Sequence, residues 1–263
     1  MRAVILAPAL ALAATTATPP QPLKPTGKWV VDYQANSCLV GRSFGDAATP
    51  TMFALKPSVS IDSQSTDLFV LTPFDGDKSI RRGTATVTFQ PSGKTAKLLY
   101  VSWIPDGNKL RGYEVPLEGD WVETLRQSTG VQLVAGKANL ALATGKVAPV
   151  MTALSTCIDD LYRSWGVDPK ARATAVGNPG GWFVDDDYPA EAKRAGAQGR
   201  VIILMTVGAD GKASACRVID SSKNAALDNS TCTLAQRRSR FVTSTDPASR
   251  FSVLSVRWLL FDR

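Results

Sequence analysis

The sequence predicts an α+β protein with two domains: a β-rich amino-terminal domain closed by an amphipathic helix, and a small carboxy-terminal domain with an antiparallel sheet in the order helix-strand-strand-helix-strand. Three observations predict this class. Short β-type runs broken by turn residues fill the first half, one helix-period apolar stripe follows, and strand and helix patterns alternate towards the carboxy terminus. A length of 263 residues suits two domains of ordinary size.

The composition excludes histidine-dependent chemistry. The chain has 44% hydrophobic and 20% charged residues, which is typical of a globular protein. It has no histidine, so a Ser-His-Asp triad, a Cys-His pair and a His-ligated zinc cannot form within it. Its four cysteines lack the paired CxxC spacing of a Cys₄ zinc site. We therefore expect a protein that is not an enzyme and that uses no metal or cofactor.

The basic residues do not indicate a nucleic-acid partner. The net charge of +7 is spread along the chain, whereas nucleic-acid binders concentrate basic residues on an arm or a face. The one tight cluster, Arg237, Arg238 and Arg240, has no interleaved aromatic residues. We expect no nucleic-acid binding, and we interpret this cluster as a solvated helix end rather than a receptor contact.

Residues 1–17 have the layout of a secretory signal peptide. Arg2 is followed by an Ala/Leu-rich apolar run and then by small residues. The apolar run is short for a membrane span, since about 15 helical residues reach about 22 Å against a hydrocarbon core of about 30 Å. We expect export and cleavage, with an uncleaved membrane anchor as the alternative. Residues 18–27 follow as a proline-rich spacer.

Export changes the interpretation of the cysteines, because an oxidising compartment favours disulfide bonds. Four cysteines allow three connectivities. Position along the chain favours Cys38 with Cys157 and Cys216 with Cys232, which gives one bridge within each domain.

The β-rich domain is predicted to span residues 28–167. Its strands are expected over 29–33, 67–71, 84–89 and 97–103, with a hairpin of 131–134 and 138–142. A short helix is expected over 120–127. The helix over 147–165 is the strongest element, because its apolar residues recur every three or four positions and Cys157 lies among them. No motif in this domain indicates a function.

The Gly- and Pro-rich residues 168–181 predict an interdomain linker, and 182–263 form the second domain. A short helix is expected over 190–195. Strands over 199–207 and 213–220 should meet at a tight turn, because an Asp-Gly pair tolerates positive φ. A helix over 226–240 and a final strand over 252–261 complete the domain.

A set of short motifs recurs in a fixed order through 182–263. The motif positions are Tyr188, Pro189, Gly199, Val201, Asp210, Gly211, Ser221, Leu227, Arg240 and Phe241. No position is decisive alone, since an Asp-Gly turn is common. The ordered set resembles the TonB C-terminal domain family, and the resemblance covers less than a third of the chain.

The resemblance implies a binding role. Domains of this family contact outer-membrane receptors, whose short segment adds as a strand to the domain's sheet. The last strand is the expected edge, and its apolar residues can pack under the helix at the same time, because side chains and edge hydrogen bonds are separate surfaces. Its partner-binding residues are expected to be Ser252, Leu254, Val256, Trp258 and Leu260.

The chain departs from a full TonB-type energy transducer, which would keep a transmembrane helix with a histidine and a long proline-rich spacer. We therefore expect a periplasmic protein of the Gram-negative envelope that binds an outer-membrane receptor or another envelope protein in support of transport. One alternative is a membrane-anchored energy transducer, and membrane association is expected only in that case. Another is an envelope structural protein that forms a homodimer through the same edge strand.

Overall fold

A computed structural model describes residues 20–60, 65–77, 79–105, 109–244 and 250–260. It contains a curled sheet of nine strands, a small sheet of three strands, and α-helices that pack on both. The predicted α+β class is confirmed. The predicted signal peptide at 1–17 and the end of the predicted last strand, at Phe261, lie outside the described residues.

The curled sheet is antiparallel, with the strand order β1-β2-β3-β4-β7-β6-β5-β8-β9. Its strands are β1 (Val30–Gln34), β2 (Ser37–Phe44), β3 (Thr51–Pro57), β4 (Ser65–Pro73), β5 (Arg81–Gln90), β6 (Thr95–Trp103), β7 (Leu110–Glu118), β8 (Gly130–Ala135) and β9 (Ala138–Leu142). The strands expected from the sequence are present, but β2, β3 and β7 were not predicted. In β7, Pro116 lies beyond the residues that pair with β6, so its missing N–H costs no bond on that side.

The helices are α1 (Asp120–Arg126), α2 (Ala148–Ser164), α3 (Ala190–Arg194) and α4 (Ala225–Arg238). The predicted apolar stripe of α2 is buried against the inner face of the curled sheet, as expected for helix-period spacing. Cys157 on this stripe bonds to Cys38 on β2, with the two Cα atoms 6.1 Å apart. The disulfide therefore joins the helix to the sheet whose core it fills.

The proline-rich segment is part of the curled sheet from Leu23 onwards. The N–H of Leu23 donates to Ala141 in β9 at 2.8 Å, and its C=O accepts from Ala143 at 3.0 Å. Three residues later the N–H of Thr26 donates to Ser43 in β2 at 2.9 Å. The segment predicted as a spacer thus links β9 to β2 and draws the two ends of the sheet together.

The small sheet has the strand order β11-β10-β12, with β10 (Gly199–Val207) between β11 (Ala213–Asp220) and β12 (Phe251–Trp258). The central strand is buried on both faces. Ile203 and Met205 belong to the apolar cluster under α4, whereas Ile202 and Leu204 belong to the cluster of the curled sheet and α2. Two-sided burial explains why β10 reads as a continuous apolar run. The two sheets therefore share a packed interface.

The second disulfide lies within the carboxy-terminal part. Cys216 on β11 and Cys232 on α4 are bonded, with Cα atoms 5.6 Å apart. Both predicted pairs are therefore at disulfide distance.

Candidate functional site at the edge of the small sheet

The motif positions of the carboxy-terminal part are structural. At the Asp-Gly turn, Gly211 has φ 73°, and its C=O accepts the N–H of Phe241 at 2.9 Å. A Cβ on Gly211 would lie 2.2 Å from the Phe241 carbonyl oxygen, so only glycine fits. Lys212 N–H donates to the Asp210 side chain at 3.1 Å, which fixes the turn. These three motif positions join the hairpin to the chain that follows α4.

Ser221 of the motif and the neighbouring Ser222 fix the loop before α4. The carboxylate of Asp228 accepts from Ser221 Oγ at 2.5 Å and from Ser222 N–H at 2.9 Å. Asn224 caps the helix by accepting from two backbone N–H groups of its first turn. Gly199 approaches this loop so closely that a Cβ would lie 2.9 Å from the Ser222 side chain.

The remaining motif positions hold the core together. Val201 and Leu227 are fully buried. Tyr188 packs edge to face on Trp258 with ring centres 5.3 Å apart, and Pro189 directly precedes α3. Arg240 donates to the backbone carbonyls of Arg237 and Ser239, at 3.0 and 2.7 Å.

Within the basic cluster, Arg238 is half-buried and has partners elsewhere in the chain. It forms a two-pronged ion pair with Asp187 and donates to the Trp182 carbonyl at 3.0 Å. The Arg238 guanidinium lowers the pKa of the Asp187 carboxyl through these hydrogen bonds. The interpretation of the cluster as a solvated helix end did not include this partner, which lies 51 residues earlier in the chain.

Among the strands that the structure describes, β10 is the one neighbour of β12, so β12 lies at the edge of the three-stranded sheet as predicted. The structure buries the predicted partner-binding side chains: Ser252, Leu254, Val256 and Trp258 are at most 9% exposed, and Leu260 is half-buried. The last four pack in the cluster under α4. What β12 offers beyond its own sheet is therefore the backbone of its odd-numbered residues.

One hydrogen bond shows which backbone groups of β12 point away from β10. Ser255 donates its N–H to Oγ of Ser60, in the loop after β3, at 2.7 Å. Alternate residues of a strand direct their backbone groups to the same side. The C=O of Ser255 and the N–H and C=O of Arg257 consequently also point away from β10.

The amino-terminal half of this edge is already occupied by the chain itself. Ala173 donates its N–H to the Phe251 carbonyl at 2.9 Å, and Arg172 forms a parallel bridge with Phe251. Residues predicted to be a linker thus add to the beginning of β12. Ser60 covers the N–H of Ser255 in its middle. From the Ser255 carbonyl onwards, no described residue forms a hydrogen bond with the outward backbone groups of β12.

This part of β12 borders a cleft of about 1270 Å³ between the two sheets. From the small sheet it is lined by Arg200, Ser255 and Arg257, and from the curled sheet by Lys56, Asp67 and Glu114. Phe69 and Trp103, whose rings pack edge to face 5.9 Å apart, add apolar surface. The volume exceeds the roughly 300–1,000 Å³ of small-molecule pockets, so a peptide segment fits its scale.

One ion pair crosses the cleft. Arg257 Nη1 lies 2.7 Å from Glu114 Oε1, and Nη2 lies 3.2 Å from Oε2, in the two-pronged geometry that favours Arg-carboxylate pairs. Hydrogen bonding to Glu114 raises the pKa of Arg257.

Two further ionisable side chains in the cleft, Lys56 and Asp67, have pKa values shifted towards their neutral forms. Burial, and then the charge of Arg200, lower the pKa of Lys56. Burial, and then the charge of Glu114, raise the pKa of Asp67. Lys56 and Asp67 lie directly opposite each other in β3 and β4, on the face turned away from the core. Each is therefore less readily ionised than in water.

The sequence did not predict the half of the cleft that the curled sheet supplies. Glu114 is 143 residues from Arg257, and Ser60 is 195 residues from Ser255. Contacts between residues so far apart in the chain leave no local pattern in the sequence. The polar residues at alternate positions of β12 were the available signal for its outward face.

Among the described residues, no helix is long and apolar enough to cross a membrane, and no group of acidic or cysteine residues is arranged to hold a metal ion.

A model of the family described as Gram-negative bacterial TonB protein C-terminal matches residues 185–258. The match covers less than a third of the chain and confirms the resemblance of this segment. It runs from the turn before Tyr188 to the end of β12, and it indicates a protein of the cell envelope. No curated protein and no solved structure matches the chain significantly.

Proposed function

We propose that this is a periplasmic protein whose TonB-type domain binds an extended segment of a partner, an outer-membrane receptor or another envelope protein, in support of transport across the envelope. The segment adds as a strand to the outer edge of β12, inside the cleft. The observation that carries this proposal is the outward Ser255 carbonyl and Arg257 backbone, which border a cleft large enough for a peptide.

Strand addition requires no catalytic group. An edge strand offers N–H and C=O groups in a row, and a partner that pairs with them gains main-chain hydrogen bonds. The contacts of Ala173 and Ser60 limit the open row to the carboxy-terminal part of β12. The open row therefore accommodates a short partner segment. A longer segment would require the interface between the two sheets to open.

A matched pair of variants tests the mechanism. Arg257→Pro removes an outward N–H, and proline is tolerated at an edge because β10 does not use this group. Arg257→Ala removes the same ion pair but keeps the N–H. With synthetic peptides copied from the periplasmic amino-terminal segments of outer-membrane receptors, we expect the full-length Arg257→Pro protein to bind at least about tenfold more weakly than Arg257→Ala. Equal binding would rule out pairing at this position.

The anchored energy transducer makes a different prediction, which concerns residues 1–17. The mass of the protein purified from an envelope fraction distinguishes the periplasmic protein from the anchored transducer. A cleaved amino terminus supports the periplasmic form, and an intact one that fractionates with membranes supports the transducer.

A further inference from the structure

Two aromatic side chains of the curled sheet, Phe69 on β4 and Trp103 on β6, line the cleft as a pair. Both are half-buried, and their rings pack edge to face 5.9 Å apart. They alternate with buried residues along their strands, so they lie on the face turned away from the core of the curled sheet. Gly112 of the intervening strand β7 makes room for them, because a Cβ there would lie 2.7 Å from the Trp103 ring.

The aromatic pair is adjacent to the ion pair that reaches β12. Glu114 lies directly opposite Phe69 in the β4–β7 ladder, which places their Cβ atoms about 5 Å apart on a common face. The Glu114 carboxylate accepts two hydrogen bonds from Arg257. Val253 shares the side of β12 with Arg257 and packs in the cluster of the curled sheet and α2. This side of β12 therefore faces the curled sheet.

A partner strand at the outer edge of β12 would direct alternate side chains to the same side. Such a strand lies about 4.8 Å from β12. Its residue opposite Arg257 places its side chain next to that of Arg257, on the common face of the extended sheet. Side chains two positions away lie on this face as well. These side chains are directed towards the sheet that carries Phe69 and Trp103.

The charges of the cleft do not favour a charged side chain at this position. Among the described residues that line it, three cations and three carboxylates balance: Lys56, Arg200 and Arg257, and Asp67, Glu114 and Glu118. Arg257 is paired with Glu114, Arg200 lies 3.8 Å from Asp220 outside the lining, and Lys56 is directly opposite Asp67. A charged side chain would lose hydration without an excess of opposite charge to compensate, whereas an apolar one gains free energy on leaving water.

We infer that the partner segment carries a large apolar side chain, aliphatic or aromatic, which packs on Phe69 and Trp103. This inference rests on the proposed strand addition at β12 and names the chemistry of the added segment. The backbone of β12 supplies the pairing, and the aromatic pair of the curled sheet selects the side chain. The part of the chain outside the TonB-type segment thereby takes part in recognition.

The test uses the full-length protein and three heptapeptides, each of six threonines around a central Leu, Asn or Glu, all acetylated and amidated. Leu and Asn are similar in shape and differ in polarity. We expect the Leu peptide to bind about fivefold more tightly than the Asn peptide, because packing on the rings removes apolar surface from water. The Glu peptide should bind no more tightly than the Asn peptide. In the isotope-labelled protein, the Leu methyl groups should show nuclear Overhauser contacts to the Trp103 indole.

Trp103→Thr should reduce the preference for Leu over Asn to within about twofold, while the Arg257 amide still responds to both peptides. Leu99→Thr is the matched control, because Leu99 lies on the same face of β6, is 74% exposed and is outside the lining of the cleft. It should leave the preference intact. Phe69→Thr provides a second variant if Trp103→Thr does not fold.

Equal affinities for the Leu and Asn peptides in the unmodified protein would overturn this inference but not strand addition. Tightest binding of the Glu peptide, or a preference for Leu that survives both Trp103→Thr and Phe69→Thr, would also overturn it. Failure of every peptide to perturb the β12 resonances would overturn both this inference and the proposed function.

Discussion

Arg257 and Glu114 form a two-pronged ion pair that joins the edge strand β12 to β7 of the curled sheet, across 143 residues of sequence. The side chain of Glu114 is 11% exposed and that of Arg257 is 56% exposed. The pair is therefore anchored on the curled sheet and partly open on the side of the small sheet. Together with the Ser60 contact to Ser255, it links the edge strand to the curled sheet at two points.

Glu114→Gln should loosen this contact. We expect amide hydrogen exchange at Ser255, whose N–H donates to Ser60, to accelerate about fivefold, since a partly exposed ion pair contributes on the order of 1 kcal/mol. Affinity for strand-forming peptides should rise in parallel. Asp160→Asn removes an exposed ion pair with Arg163 on α2 and serves as the control. Unchanged exchange in Glu114→Gln would show that the pair does not restrain β12.

The hydrogen bond from Trp258 to the Thr231 hydroxyl should contribute to the free energy of unfolding. The indole Nε1–H of Trp258 donates to Thr231 Oγ1 at 2.8 Å in the core under α4. Thr231→Val keeps the shape but leaves the buried N–H without an acceptor, which should lower the free energy of unfolding by about 1–3 kcal/mol. Denaturant unfolding measures this, and Thr231→Ser, which keeps the oxygen, should lose less. A larger loss in Thr231→Ser would show that the methyl group matters more than the hydrogen bond.

The two disulfides should differ in their contributions. Cys38 and Cys157 are separated by 119 residues, and Cys216 and Cys232 by 16. On the loop-entropy argument, replacing the first pair by serine should cost about 5 kcal/mol, and replacing the second about 3 kcal/mol. Denaturant titration of the two double variants measures the order. The reverse order would mean that loop length does not govern their effects.

Asp67 should make stability depend on pH. Burial raises its pKa above the usual 3.8, so the folded state binds this proton more tightly than the unfolded chain. Stability from this group is present at low pH and is lost as the pH rises from 3.8 through the raised value. Asp67→Asn should therefore be more stable than the unmodified protein at pH 7, and the difference should vanish below about pH 3. A difference that persists at low pH would point to packing instead.

The sequence predicted the elements with strong local patterns and missed those without them. The stripe on α2 and the run of β10 were placed almost to the residue, because burial on a helix face or on both sheet faces leaves a regular signal. Both cysteine pairs followed from position once export was assumed. The run of β10 also carried information that the prediction did not use, since its second apolar face is buried by the amino-terminal domain.

The cleft could not be predicted because its two sides meet only in the folded chain. Lys56 and Asp67 are ordinary outward residues of β3 and β4 when they are considered alone. Their pKa shifts arise first from burial in the cleft and then from Arg200 and Glu114, which belong to other strands. Alternation along β12 predicted which side chains pack inwards, but not what lies opposite its outer edge.

The account depends most directly on where a partner segment binds. Receptor-derived peptides should be titrated into the isotope-labelled full-length protein while its backbone amide resonances are followed. We expect the resonances of Ser255 and Arg257 to shift together with those of Lys56 and Asp67 on the opposite side of the cleft. Peptide binding that shifts only the exposed edge strands β1 or β11, and leaves the Arg257 amide unchanged, would contradict the account.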